Sequence, residues 1–372
     1  MTIGVIGLGA MGLGIAQVFA QSGQGVIGFD ASPAARDSAK DRLAAQLAPR
    51  VAKGALSKGV MTQILDRLIV VDAICGLAPS DMVIEAVVER LDVKIAVLGD
   101  AMPHLRPDTV IATNTSSLSV ATIAAGLAHP QNVLGLHFFN PAPVMKLVEL
   151  VPHAGTSAQT LAQARSWVEA AGKTVVQCPD RPGFIVNRCA RPFYGEAFAL
   201  LEGGHAPAKI DAAMQAAGYR LGPFALIDLV GADINLAATK SLADAMNGHP
   251  RYHVFAALKS QVARGNLGRK TGAGFVFPAD TAPMENDDIV LQIEATLVNE
   301  AAWLFAEGGT QPGGIDTALR LGLNFPRGPF EILAARGQGV ILAKLAALES
   351  AAPPHLKTRY LPAPFLTTGT HP

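Results

Sequence analysis

Residues 1–29 contain no Asp, Glu, Lys or Arg, and eight of them are glycine. Few folds leave so long a stretch without charge. A secretory leader places basic residues ahead of its apolar run, and none stands here. A membrane-spanning helix needs about 20 mostly apolar residues. This stretch is interrupted by Gln21, Ser22 and Gln24, and by glycines that weaken helix interiors. The order of its parts supplies another reading. Thr2 to Ile6 leans towards β structure, Gly7-Leu8-Gly9-Ala10-Met11-Gly12 follows, and Leu13 to Gln21 reads as helix. Val26 to Phe29 is a second apolar run, and Asp30 closes it eighteen residues after Gly12. Strand, glycine turn, helix, strand and acid in this order form a dinucleotide-binding unit. Gly7 allows the tight turn, Gly9 lets a pyrophosphate approach the backbone, and Gly12 lets the helix pack closely. The unpaired N–H groups at the helix start favour the anion. Asp30 is placed to accept hydrogen bonds from the adenosine ribose and would repel a 2′-phosphate, which predicts NAD rather than NADP as cofactor.

Further strand-like runs follow at Leu68 to Val71, Met82 to Val88, Val110 to Ala112 and Val133 to Leu136. Helical segments such as Leu91 to Ala101 lie between them, and residues 34–66 read as an additional helical pair. Such alternation predicts an α/β fold of Rossmann type, a doubly wound parallel sheet buried on both faces. After Pro179 the strand signal ends and the chain reads as helical to its end. Within that part Glu196-Ala197, Ile210-Asp211 and Gly222-Pro223-Phe224 recur as Glu300-Ala301, Ile315-Asp316 and Gly328-Pro329-Phe330, at an offset of roughly 105 residues. The expected organisation is a nucleotide-binding domain over 1–181, an all-α domain over 182–280, and a second, abbreviated copy of it over 281–366.

Thirty basic residues balance thirty acidic ones, which argues against nucleic acid as a partner, since that needs a basic surface. Three scattered cysteines form no CxxC pair and no cluster with histidine. No metal site and no disulfide framework is expected, and a reducing, cytoplasmic setting is. No membrane association is expected either.

In an open parallel sheet, ligands bind beyond the carboxyl ends of the strands. Two polar segments fall there: Thr113-Asn114-Thr115-Ser116-Ser117-Leu118-Ser119, and His137-Phe138-Phe139-Asn140-Pro141. Twelve residues after His137, Glu149 is the one acid in the apolar run Leu147 to Val151. A lone carboxylate there is costly unless paired, and an imidazolium is its natural partner. The residues alone therefore point to an NAD-dependent enzyme with a histidine base.

Taken whole, these strings resemble the short-chain (L-)3-hydroxyacyl-CoA dehydrogenase family. They comprise the glycine loop at 7–12, ATNTSSLS at 112–119, GLHFFNPAPVMKLVEL at 135–150, PGFIVNR at 182–188, LGPFALIDLVG at 221–231 and GRKTGAGF at 268–275. The resemblance implies oxidation of a (S)-3-hydroxyacyl-CoA thioester to the 3-oxoacyl-CoA, or the reverse. It implies His137 as general base, Glu149 as its partner, and Ser116 and Asn187 as ligands of the substrate oxygen. Glu89, Lys94, Ser116 and Asn140 are implied on the nicotinamide side, with Lys270 as a further cofactor contact. A basic residue of the extra helical pair, Lys53 or Lys58, is implied at the CoA nucleotide. The family's helical domain implies a homodimer, unless the second copy fills that interface within one chain. The chain departs from the pattern at Ala142 between two prolines, at Arg181, and at Val276-Phe277, none of which removes a catalytic group. Two other readings stand beside this one: a dehydrogenase of 3-hydroxy sugar acids, similar to L-gulonate 3-dehydrogenase, and a non-catalytic NAD-binding protein.

Overall fold

The computed structural model describes residues 1–279 and 281–368 and divides into two compact units, Met1–Arg181 and Pro182–Pro372. The first is built on a sheet of eight strands: β1 (Thr2–Ile6), β2 (Gly25–Phe29), β3 (Leu68–Val70), β4 (Met82–Glu85), β5 (Val110–Thr113), β6 (Val133–Phe138), β7 (Leu147–Pro152) and β8 (Thr174–Gln177). Their order is β3-β2-β1-β4-β5-β6-β7-β8. The chain reverses direction outward from β1, the switch point at which such sheets bind nucleotides.

Three details differ from the expectation. The run from Met82 stops being strand at Glu85, where that residue's own carboxylate accepts the Val87 N–H at 2.7 Å. The pair β6–β7 is antiparallel, with His137 opposite Glu149, while the other strand pairs are parallel. The eight residues between Phe138 and Leu147 are too few for the crossover that a parallel neighbour requires. Finally, residues 33–67 form three helices, Pro33–Asp37, Ala39–Ala52 and Lys58–Arg67, rather than a pair.

The central strands are apolar and buried. Ile3, Val5, Met82, Ile84, Val110, Ala112, Leu134 and Leu136 pack with Leu13, Ala16 and Phe19 of the Ala10–Gln21 helix in one core. Burial of both sheet faces accounts for the uncharged N-terminal stretch.

The second unit is built of helices, with one isolated bridge between Gly268 and Ala273 among its described residues, and contains both stretches of the sequence repeat. Its centre is the 20-residue helix Asp287–Ala306, long and apolar enough to cross a membrane but mostly buried within the unit. Its buried Glu294 and Glu300 are each paired with arginine. The aspartates of the two Ile-Asp strings have similar hydrogen-bond partners. Asp211 accepts the Phe224 and Ala225 N–H groups at 3.0 and 2.7 Å, and Asp316 accepts that of Phe330 at 2.8 Å. Gly222 and Gly328 lie so close to these aspartates that an added Cβ would stand 2.4 and 2.3 Å from them.

Candidate active site

The glycine turn has the shape its sequence predicts. Gly7 has φ +93°, and a Cβ there would meet the Ala86 carbonyl at 2.7 Å. A Cβ on Gly12 would fall 1.7 Å from the Gly7 carbonyl oxygen, so the helix start and the turn touch through backbone alone. At Gly9 a Cβ meets nothing within 4 Å. The helix Ala10–Gln21 begins there with no side-chain cap and no acid in its first turn. By contrast Ser57, Ser119 and Ser157 cap their helices with a hydroxyl. Uncapped N–H groups beneath an open glycine fit a dinucleotide pyrophosphate. Asp30 bridges the turn to the end of β2, accepting the Leu8 N–H at 2.7 Å and the Ser32 N–H at 2.8 Å. A carboxylate has about four acceptor positions, so two such bonds leave capacity for ribose hydroxyls.

Further along the sheet, His137 and Glu149 meet across the antiparallel pair. Nδ1 lies 2.6 Å from Glu149 Oε2, with the histidine 7% exposed and the glutamate fully buried. The thiol of Cys178 sits in the same neighbourhood. Burial, together with the Glu149 and Asp180 carboxylates, pushes its pKa well above the usual thiol range, so it acts as a packed neutral side chain. Cys189 is likewise buried.

The Ser116 loop hangs on a buried ion pair, Lys94 with Glu85, that no sequence motif announces. Lys94, fully buried, lies 2.7 Å from Glu85 and 3.3 Å from Glu89. Glu85, at the end of β4, also accepts from the Thr113 hydroxyl at 2.7 Å. Glu89 in turn accepts from the Thr115 hydroxyl at 2.7 Å and from the Ser116 and Ser117 N–H groups at 2.7 and 3.0 Å. Burial works against the Glu89 charge, but Lys94 and these donors hold its pKa below the usual range. Asp180 secures the far end of the loop, accepting from the Ser119 hydroxyl and the Val120 and Ala121 N–H groups at 2.7–2.9 Å. Asn114 accepts the Phe138 N–H at 2.9 Å, joining the ends of β5 and β6. Ser116, Asn140, His137, Glu89 and Lys94 thus all belong to the first unit, with Ser116 half-buried and Asn140 exposed.

Lys173 supports the segment after His137. Its ammonium donates to the Ala142 and Met145 carbonyls at 2.6 and 2.8 Å, and burial lowers its pKa to about 8. The signal for Lys173 in the sequence is weak, since lysine before a short strand is commonplace.

Four further expected residues, Lys53, Lys58, Lys270 and Asn187, lie elsewhere in the chain. Lys58 is exposed at the start of the Lys58–Arg67 helix, and Lys53 is also exposed. Lys270, in the second unit, is paired with Asp233 at 2.5 Å. Asn187 is the second residue of the short helix Val186–Cys189, whose N-cap is Ile185, so it does not cap that helix. No cluster among the described residues has the composition of a metal site.

The chain is similar to proteins of one family. The family model "3-hydroxyacyl-CoA dehydrogenase, NAD binding domain" matches residues 2–181. The model "3-hydroxyacyl-CoA dehydrogenase, C-terminal domain" matches two stretches, 183–277 and 289–368. The 3-hydroxyadipyl-CoA dehydrogenase of Escherichia coli K12 is 45% identical over 275 residues, 73% of this chain but 58% of that protein's length. The probable 3-hydroxybutyryl-CoA dehydrogenase of Bacillus subtilis is 36% identical over 73% of this chain and 95% of its own. Among solved structures, a 3-hydroxybutyryl-CoA dehydrogenase from Escherichia coli K12 superposes with a TM-score of 0.91 at 33% identity, covering 98% of this chain and 97% of that one.

Proposed function

The chain belongs to the 3-hydroxyacyl-CoA dehydrogenase family, with NAD as cofactor, and from that premise we propose that it interconverts (S)-3-hydroxyacyl-CoA and 3-oxoacyl-CoA thioesters. The observation that carries the reading is the His137–Glu149 pair at the carboxyl end of β6. Glu149 engages Nδ1, which fixes the ring and leaves Nε2 to take the proton of the substrate's C3 hydroxyl. The buried carboxylate stabilises the imidazolium that forms. As the O–H proton passes to His137, the C3–H bond breaks, its electron pair leaves as hydride, and the C3 carbonyl forms. Bound NAD supplies the acceptor for that hydride. Ser116 is assigned a donor role to the substrate oxygen, held in place by Glu89, and Asn187 a second such role. Among the basic residues, Lys58 is assigned to the CoA nucleotide and Lys270 to the cofactor.

The test is NADH oxidation against 3-oxoacyl-CoA thioesters of increasing chain length, with NADPH in parallel and a free 3-oxo sugar acid as a separate arm. Turnover of the thioesters with NADH is expected. Turnover of the sugar acid alone, or tight NADH binding with no turnover of any thioester, would overturn the proposal.

A further inference from the structure

Eight residues, Phe139 to Lys146, join β6 to β7 and so link His137 to Glu149. They form neither strand nor helix, yet they are held at three places. Phe139 lies against the His137 ring, with the centroids 4.5 Å apart. Ala142, 2% exposed, and Pro143 rest on the helix Ala10–Gln21, where a Cβ on Gly14 would stand 3.4 Å from a carbon of each. At the third place the Lys173 ammonium donates to the Ala142 and Met145 carbonyls at 2.6 and 2.8 Å. The Thr174 N–H, next in sequence, donates to the Lys146 carbonyl at 2.8 Å.

Lys173 is half-buried and pairs with no carboxylate among the described residues. The elements around it supply none. The helix Ala10–Gln21 and β8 hold no charged residue, and Lys146 is the one charge in the connection. Arg165 and Glu169 of the helix Ala158–Ala170 pair with each other at 3.4 Å, and Glu149 of β7 is engaged by His137. Burial alone therefore lowers the Lys173 pKa, to about 8. A charged donor makes hydrogen bonds roughly twice as strong as a neutral one, so the grip on both carbonyls depends on that proton.

We propose that Lys173 is a positioning residue for hydride transfer, holding the Asn140 segment in place beside His137. The inference rests on the proposed reaction and on the nicotinamide contact that the family resemblance implies for Asn140. His137 is fixed by strand register and by Glu149. Asn140 lies beyond the end of β6, two residues before the first carbonyl that Lys173 binds. A loosened connection therefore moves Asn140 against a stationary histidine, and small misplacements of this kind are costly in rate.

The experiment follows oxidation of a 3-hydroxyacyl-CoA by NAD from pH 6 to 10 in the wild type, Lys173→Arg and Lys173→Met. In this direction His137 acts as a base, so its titration shapes the acidic limb and leaves the alkaline limb to other groups. Wild-type kcat is expected to fall as pH rises through about 8, where Lys173 loses its charge. Lys173→Arg stays charged throughout and should keep kcat within about 5-fold at pH 7 while losing the alkaline fall. Lys173→Met should lower kcat by about 10-fold or more, change KM for the thioester by less than about 3-fold, and show no fall at pH 8. Nicotinamide emission of bound NADH, read without substrate, should shift across the same pH range in the wild type and stay constant in both variants. Wild-type kcat and emission in Lys173→Met would overturn the inference, as would lowered stability with kcat intact. If Lys173→Met does not fold, an alkaline fall kept unchanged by Lys173→Arg would overturn it. A wild type that turns over no thioester would overturn the reaction, and the emission arm alone then decides whether Lys173 sets the position of the nicotinamide.

Discussion

His137 and Glu149 occupy opposed positions on β6 and β7, so that Nδ1 and Oε2 lie 2.6 Å apart. The pair is made by strand register rather than by a loop. His137→Gln is expected to retain NADH binding, measured by fluorescence titration, while kcat falls on the order of 10²-fold or more. Glu149→Gln keeps the shape but loses the charge that orients and stabilises the ring, and kcat should fall by about 10²- to 10⁴-fold. Near-normal turnover in either variant would remove the pair from the chemistry.

Gly9 separates cofactor binding from folding. Its φ of −65° suits alanine, and the added methyl meets no protein atom. Gly9→Ala should therefore unfold within about 0.5 kcal/mol of the wild type, yet bind NADH at least an order of magnitude more weakly. Gly12→Ala, by contrast, drives a Cβ into the Gly7 carbonyl and should reduce both stability and binding. Unchanged NADH affinity in Gly9→Ala would show that the pyrophosphate does not approach that residue.

Lys94 neutralises a carboxylate that water cannot reach. Lys94→Met leaves Glu85 buried and unpaired and should destabilise the first unit by about 3–5 kcal/mol in urea unfolding. The double variant Glu85→Gln with Lys94→Met removes the orphaned charge and should recover much of that loss. Strict additivity of the single substitutions would contradict the pairing.

Asp211 gives the helical unit its own pH dependence. Burial is the main cause that raises its pKa from 3.8 to about 7, beyond what the Phe224 and Ala225 N–H bonds offset. Between those values the folded state holds a proton that the unfolded state has released. This stabilisation is complete at acid pH and is lost as pH rises through about 7. Asp316 is shifted in the same direction, again chiefly by burial. With Trp167→Phe, fluorescence of Trp303 reports the helical unit, and its urea midpoint should fall between pH 5 and 8. Asp211→Asn should flatten that slope; a midpoint that rises with pH would reverse the assignment.

Much of the fold and part of the site are legible in the amino-acid sequence. The glycine spacing and missing charge mark the nucleotide unit. Glu149 stands out because a single acid in an apolar strand needs a partner. Glu85 carries the same signal, but Met82 to Val88 reads as one strand and the acid is absorbed into it. The reversal at β7 is legible only as a short connection after Phe138, since residue pattern does not encode strand direction. β8 is four residues long, with two of them exposed, and shows little apolar periodicity.

Arg188 lies in one of the two stretches that match the C-terminal domain model, and its partners Glu300 and Glu307 lie in the other. Burial opposes the charge, but Glu307 and Glu300 hold the guanidinium firmly protonated. Joining these stretches covalently removes their contact from mass action. Dilution that would dissociate the same contact between separate chains leaves this one formed.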